Sequence, residues 1–494
     1  MAVVLILAAG CAPEPGPVVS PLTLQLAATP TPTAPVDAPA GPIEPFPTRP
    51  PYQPGELVDY TAQTGDLLPA LAARFNTTVA EIRAANPIIP DSATTMPPGM
   101  PMKIPIYYRP LWGSPYQILP DSLFVNGPAQ SGFSAQDFVA HSPGWLKDYV
   151  AYANGENKRG GAIVDFVAEE YSISPRLLLA ITEYMTGGLS QPQPPDPSDP
   201  YLLGKADYRK EGYYRQLAWL ADTLNNGYYR WRTGELLELQ LRDGRIERPD
   251  PWQNAATVAL QAYFAQLLSP EEYYRAISAE GLAKTYAQLF GDPWANVQPH
   301  IPGSLAQPTF SLPFQPGKSW AFTGGPHSAW GEDVQPLAAL DFAPPAVVGG
   351  CKSTEEWATA IADGIIARTG TGIAVLDLDG DGDERTGWVV FYLHLDTTTI
   401  PPRGTHLNQG DPIGRPSCDG GKSTGTHVHI ARKYNGEWIL ADGVLAFNLE
   451  GWLAQKGQVP YQGTLTRNNR TVSACTCSDQ ASQIQAQGPA LIQP

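Results

Sequence analysis

Positive charge is scarce in this chain of 494 residues. Thirty-two Lys and Arg stand against forty-eight Asp and Glu, a formal net charge of −16. Phosphate backbones are held by clustered basic side chains, so this balance argues against a nucleic-acid partner. Long apolar runs are lacking too. The opening run, Met1 to Gly10, is too short to cross a bilayer as a permanent helix and reads as the apolar core of a secretion signal. Cysteine is rare, with five in all and no C-x-x-C spacing, which leaves little room for a thiolate metal site. Hydrophobic periodicity is missing from residues 12–55, which are rich in Pro, Ala and Thr. Such a stretch cannot bury a core and reads as an extended linker. The remaining length is too great for one ordinary domain.

The apolar run ends in Leu7-Ala8-Ala9-Gly10-Cys11. Residues 1–11 resemble a bacterial lipoprotein signal, which implies lipidation of Cys11 and an extracytoplasmic, membrane-anchored protein at the cell envelope. Export permits disulfides. Of the other cysteines, Cys351 and Cys418 are the expected pair, because both fall in one predicted domain. Cys475 and Cys477 either pair with each other or stay unpaired.

Residues 56–106 read as a compact β-α-α-β unit. Val58-Asp59-Tyr60-Thr61 is a strand, and Leu67, Leu68, Leu71 and Phe75 recur at helical spacing. Thr78 followed by Glu81 is a capping box that starts a second helix, and Met102-Lys103-Ile104-Pro105 closes the unit with a strand. With Tyr60-Thr61, Gly65-Asp66, Asn76-Thr77, Asn86 and Pro98-Gly99, the unit resembles a LysM domain. The resemblance implies binding of N-acetylglucosamine-containing glycans such as peptidoglycan.

Residues 107–300 read as α-helical. Ile163, Phe166, Val167 and Tyr171 share a helix face, and Ser174-Pro175 starts a helix that runs through Met185. Leu217, Leu220, Ala221 and Leu224 form another stripe, which Asn226-Gly227 is expected to end. Ala255 to Leu268 is a further apolar helix. The run Ile173-Ser174-Pro175 and Leu178 to Glu183 resembles lysozyme-like domains. There, a glutamate at such a helix end is the general acid for glycan cleavage, which makes Glu183 a candidate glycosidase acid. Tyr184-Met185 stands where that family has Ser-Gly.

From residue 301 the pattern changes to short strands with Gly and Pro turns, and five of the seven histidines fall there. In Gly425-Thr426-His427-Val428-His429-Ile430, alternate residues of a strand share a face, so His427 and His429 point the same way. Asn435-Gly436 is a type I′ hairpin signal, which puts this strand in an antiparallel sheet. Trp388 to Leu395 is a buried strand that delivers His394 at its end. Gly324-Gly325-Pro326-His327 and Leu340-Asp341-Phe342-Ala343 add an imidazole and a carboxylate. Catalytic zinc takes three protein ligands and keeps one position open. His327, Asp341 and His429 supply such a set, with His427 and His394 beside it as base and oxyanion stabiliser.

These motifs, together with Gln409-Gly410-Asp411-Pro412-Ile413-Gly414 and Ser423-Thr424, resemble the M23 zinc metallopeptidases. The fourteen residues from His327 to Asp341 place the chain near the β-lytic subgroup. The resemblance implies Zn²⁺ at His327, Asp341 and His429, catalytic His394 and His427, and cleavage of Gly- or Ala-containing peptide bonds in peptidoglycan. Asp377, Asp379, Asp381 and Asp383 alternate around glycines like a Ca²⁺ loop, although Trp388 stands where an EF-hand needs Glu. The expected fold is therefore multidomain α+β. The LysM-like unit is followed by an α-helical middle domain, an antiparallel β-sheet peptidase domain over 301–468, and a polar tail over 469–494. Two other readings are a non-catalytic wall-binding scaffold and a bifunctional hydrolase that also cuts glycan through Glu183.

Overall fold

The computed structural model describes residue 49 and residues 51–332, 335–346, 349–477 and 479–488. The signal-like segment with Cys11, and nearly all of the Pro-rich stretch, lie outside the described residues. Among the described residues, no helix is long and apolar enough to cross a membrane.

The first unit pairs strand β1 (Glu56–Thr61) with β2 (Pro101–Ile106), antiparallel, around α1 (Leu68–Arg74) and α2 (Val79–Ala85). Alternation in β1 buries Val58 and Tyr60 against Leu71, Phe75, Ile82 and Ile104. Thr78 and Glu81 form the capping box in both directions. Hydrogen bonds fasten this unit to distant parts of the chain. Arg74 donates to the Trp231 carbonyl at 2.9 Å, and the Thr94 and Thr95 hydroxyls donate to the Leu305 and Pro302 carbonyls, each at 2.7 Å.

The middle region contains α3 (Ala135–Ala140), α4 (Gly160–Tyr171), α5 (Pro175–Thr186), α6 (Tyr213–Thr233), α7 (Ala255–Leu267), α8 (Pro270–Ala276) and α9 (Leu282–Phe290). Ser174 caps α5 by accepting the Leu177 amide, with Pro175 at the first helical position. The expected stop at Asn226-Gly227 does not occur. Helix α6 runs on to Thr233 and ends at Gly234, whose φ is +76°. Gly227 is instead a crossing point: a Cβ there would lie 2.8 Å from the Ala259 Cα of α7. The Tyr228-Tyr229-Trp231 group is buried inside α6.

The third region is built on a nine-stranded sheet among the described residues. Its main strands are β3 (Ser319–Ser328), β4 (Leu337–Ala343), β5 (Gly364–Gly370), β6 (Ile373–Asp377), β7 (Trp388–Leu393) and β8 (Val428–Tyr434). They run in the order β5-β6-β7-β8-β4-β3, every pair antiparallel, with His406–Leu407 outside β5 and Gln483–Gln485 outside β3. Asn435 and Gly436 both have positive φ and turn β8 back into Glu437–Trp438, as the hairpin signal predicts.

Within the stretch expected to be a polar tail, over 469–494, two described segments contribute to this fold. Arg470–Ser473 pairs with Gly463–Arg467, and Gln483–Gln485 edges the large sheet. Val472 and Ile484 are buried there, which a polar composition conceals.

The faces of the sheet have different partners. Leu340, Phe342, Ala374, Leu376, Val390, Tyr392, Val428 and Ile430 pack with Trp452, Leu465 and Val472 from the C-terminal hairpins. Ala339, Val375, Val389, Phe391, Leu393 and Ala431, on the other face, share one core with the helices of the middle region.

Candidate metal centre

Register brings the candidate residues together. His429 of β8 lies opposite Asp341 of β4 on one side and Leu393 of β7 on the other. Leu393 is followed at once by His394. His327 of β3 pairs with Ala339, two residues before Asp341, across an irregular register. His427 immediately precedes β8, on the same face as His429.

The nitrogen and oxygen atoms converge. His327 Nε2 lies 3.0 Å from His429 Nδ1, and each lies 3.3 Å from Asp341 Oδ1. Atoms about 2.0–2.1 Å from one tetrahedral ion stand about 3.3 Å apart, so the spacing suits a single metal. The hydrogen-bond partners orient the rings. His327 Nδ1 faces the Gly325 carbonyl at 2.8 Å, and His429 Nε2 faces the Ala329 carbonyl at 3.1 Å. A carbonyl only accepts, so those nitrogens carry the protons, and His327 Nε2 and His429 Nδ1 turn lone pairs to the centre. Asp341 Oδ1 is therefore buried without a hydrogen-bond donor. An orphaned carboxylate oxygen facing two imidazole lone pairs is the donor set of a divalent-metal site.

His427 and His394 flank this set. His427 Nδ1 donates to the Gly425 carbonyl at 2.8 Å, and its Nε2 stands 3.7 Å from Asp341 Oδ1. His394 Nδ1 donates to the Asp419 carbonyl at 3.0 Å, and its ring centre lies 4.6 Å from that of His427. His394 has φ +62°, a strained value for a non-glycine residue, which swings its ring out of the strand and toward the cluster.

The cluster is secluded. His327, Asp341, His394 and His429 are only 2%, 6%, 4% and 5% exposed. Burial works to raise the Asp341 carboxyl, but His327 and His427 outweigh it and hold the group well below the usual carboxylate range. Burial, reinforced by His427 and His429, pushes His394 down to about 3, and burial also lowers His429. The carboxylate is thus ionised and these two imidazoles are neutral at neutral pH.

Supporting residues keep the atoms in place. Gly324 leaves room for the carboxylate, since a Cβ there would sit 2.4 Å from Asp341 Oδ2. Cys351 and Cys418 are disulfide-bonded, next to Asp419 and to the Ser417–His427 bridge. Cys475 and Cys477 are bonded to each other. Tyr461, from the turn between Trp452–Lys456 and Gly463–Arg467, stacks on His327 with ring centres 4.1 Å apart. Sequence reading missed this tyrosine, because nothing in its neighbourhood signals a partner more than a hundred residues away.

The other candidates lie elsewhere. His406 is exposed at the sheet edge. Asp377, Asp379 and Asp381 bring carboxylate oxygens within 4.8 Å of one another. Asp383 turns away to Arg385 at 2.7 Å and the Ser131 hydroxyl at 2.8 Å. Backbone amides of Asp379, Asp381, Gly382 and Asp383 already donate to this loop's carboxylates. Glu183 accepts the Leu189 amide at 2.7 Å and lines a separate pocket of about 410 Å³ with His141, and among the described residues no second carboxylate lines that pocket.

Comparison with known proteins agrees with this architecture. Residues 60–105 match the LysM domain family, and residues 117–303 match the family described as LasA, N-terminal domain, rather than a lysozyme-like one. Protease LasA of Pseudomonas aeruginosa is 24% identical over 345 residues, covering 66% of this chain and 75% of that protein. The beta-lytic metalloendopeptidase of Lysobacter enzymogenes is 30% identical over 139 residues, covering 27% of this chain and 72% of that protein. The solved M23 metalloprotease pseudoalterin, 24% identical, aligns with 34% of this chain and 96% of its own at a TM-score of 0.29. With its His-Asp-His cluster on an antiparallel sheet and its kinship to the Lysobacter enzyme, the chain belongs to the M23 family of β-lytic metalloendopeptidases and carries a LysM domain ahead of its peptidase sheet.

Proposed function

We propose that this metalloendopeptidase is a zinc enzyme that hydrolyses peptide bonds in bacterial peptidoglycan. One observation carries the reading: His327 Nε2, His429 Nδ1 and Asp341 Oδ1 meet at 3.0–3.3 Å beside two further imidazoles. Two nitrogens and one oxygen in this spacing suit Zn²⁺, and these three residues would hold it. When bound, zinc supplies Lewis acidity toward a peptide carbonyl and makes a water a better nucleophile.

The chain's own residues handle the protons. His427 and His394 each hold the Nδ1 proton against a backbone carbonyl, which leaves Nε2 as the basic atom. A water attacking the scissile carbonyl must lose a proton. His427 Nε2, the nearer of the two to Asp341, is placed to take it and return it to the departing amine. His394 can donate to a developing oxyanion only after gaining a proton at Nε2, so it enters the cycle as an acceptor. Tyr461 fixes the plane of His327.

The LysM match supports the wall as the place of action, and the disulfides suit an extracytoplasmic location. Lipid attachment at Cys11 would tether the enzyme to the membrane, and Cys11→Ser should then move it to the soluble fraction. The oxygens of Asp377, Asp379 and Asp381 are the donor type for Ca²⁺, which should raise the melting temperature if it binds there. The functional reading is tested with purified peptidoglycan. Zinc-loaded protein should release cross-linked stem peptides and leave glycan strands whole, and the His427→Ala variant should release none.

A further inference from the structure

At the far end of β8 from the metal cluster, a cavity of about 450 Å³ opens between the Asn435 turn, α5, α9 and the segment 291–300 that follows α9. Asn435 lies six residues beyond His429, about 20 Å along the strand at roughly 3.3 Å per residue, so the cavity shares no residue with the cluster. Its volume falls within the range of about 300–1,000 Å³ that ligand pockets occupy. Leu123, Phe290, Val297 and Pro299 give it apolar walls. Among the described residues, its lining holds one guanidinium, Arg176, and one carboxylate. The latter, the exposed Asp292, accepts the Trp294 amide at 2.9 Å.

Arg176 is held in place without being neutralised. Its Nη1 donates to the Ala129 carbonyl and to Gln130 Oε1, each at 2.8 Å, and the guanidinium lies 4.2 Å from the Phe133 ring centre. Phe133 in turn meets Phe290 edge-on, with ring centres 5.8 Å apart. Among the described residues, Arg176 has no carboxylate partner, and its Nε and Nη2 have no acceptor. Those two groups form the edge of a guanidinium that grips a carboxylate through two parallel hydrogen bonds. The placement is costly. Arg176 stands in the first turn of α5, where a cation opposes the helix dipole, and burial pushes its pKa down. An anion at Nε and Nη2 offsets both effects. Tyr286 of α9 lies beside it. This residue is only 3% exposed, yet its hydroxyl has no hydrogen-bond partner among the described residues. Burial pushes the phenol up to about 12 against the pull of Arg176, so the hydroxyl keeps its proton at neutral pH and can donate it to an acceptor in the cavity.

We propose that this cavity is a binding site for the free C-terminal carboxylate of a short peptide, with Arg176 Nε and Nη2 and the Tyr286 hydroxyl as its three donors. The site needs nothing from the metal centre. One guanidinium balances the single charge of a carboxylate, whereas a phosphate carries roughly two and would leave one uncompensated. The apolar walls take the last side chain of the peptide. Asn296 and Gln298 line the same cavity, and a side-chain amide offers both the donor and the acceptor that a peptide group needs.

The test is isothermal calorimetry of the full zinc-loaded chain, with N-acetyl-dialanine as the probe and its C-terminal amide as the control. The free acid should bind at millimolar concentration or below, and the amide about tenfold more weakly or worse. Zinc also attracts carboxylates, so variants locate the binding. Arg176→Gln should weaken the acid about tenfold or more and Tyr286→Phe about threefold, with zinc content unchanged in both. Affinity that stays the same in both variants would put the peptide elsewhere and overturn the proposal, and so would the absence of any heat from the acid. Equal affinity for acid and amide would overturn it too. Inorganic phosphate that displaces the peptide acid with equal strength would show an indifferent anion trap, which also sinks the peptide assignment.

Discussion

Gly324→Ala is a small change with a large expected effect. The new methyl carbon would stand 2.4 Å from Asp341 Oδ2. Carbon–oxygen contacts settle at about 3.4 Å or more, so the carboxylate must retreat by roughly 1 Å. Gly324 and Asp341 are register partners in adjacent strands, which leaves the backbone little freedom to absorb the clash. The chain takes the strain by turning the carboxylate, and Oδ1 then leaves its position 3.3 Å from both imidazoles. A displacement of that size costs about 100-fold in catalysis, and disturbing the support of a ligand costs about 10–100-fold in metal affinity. The assay is chelator competition for zinc together with kcat/KM on a soluble peptide, compared with the unaltered protein under one set of conditions. The melting temperature should move little, because the new methyl group falls among polar atoms and disturbs no apolar packing. Unchanged zinc affinity and unchanged kcat/KM would refute the claim that Asp341 is held at the centre by the space Gly324 leaves.

Other consequences are equally open to measurement. Gly227→Val should drive α6 from α7, because even a Cβ would lie 2.8 Å from the Ala259 Cα, and should cost about 1–3 kcal/mol in urea unfolding. His427→Ala and His394→Ala should keep zinc, as measured by elemental analysis, while lowering peptide hydrolysis at least about 100-fold. Acid should destabilise the seam between helices and sheet. Burial works to raise Glu437 and Glu384, but Arg232 and His300 bring the first down to about 2, and Arg368 and Lys433 do the same for the second. Folded values below the ordinary 4.5 mean that both contribute stability at neutral pH, which is lost as the pH falls from about 4.5 toward 2. A melting temperature that holds steady across that window would contradict these assignments.

The chain shows its local chemistry plainly and its long-range contacts hardly at all. His427 and His429 could be placed on one face of a hairpin strand because strand alternation and the Asn435-Gly436 turn are written in adjacent residues. The Thr78–Glu81 box and the Ser174-Pro175 start are local in the same way. Gly227 misled because a glycine that ends a helix and a glycine that lets two helices touch look alike without the neighbour, here Ala259. Tyr461 and the edge strand Gln483–Gln485 belong to polar stretches, and only His327 and the sheet edge they pack on give them meaning. What covers Phe391 and Ala431 is also hidden in the sequence. An apolar strand reads the same whether helices or hairpins cover it.

Mass spectrometry of purified peptidoglycan after incubation with the full chain, with zinc and after its removal by a chelator, decides whether the cluster is a peptidase centre. Zinc-dependent loss of cross-linked peptides, with glycan strands intact, is the expected result. Intact cross-links under every condition, from protein shown to carry one zinc per chain, would contradict it.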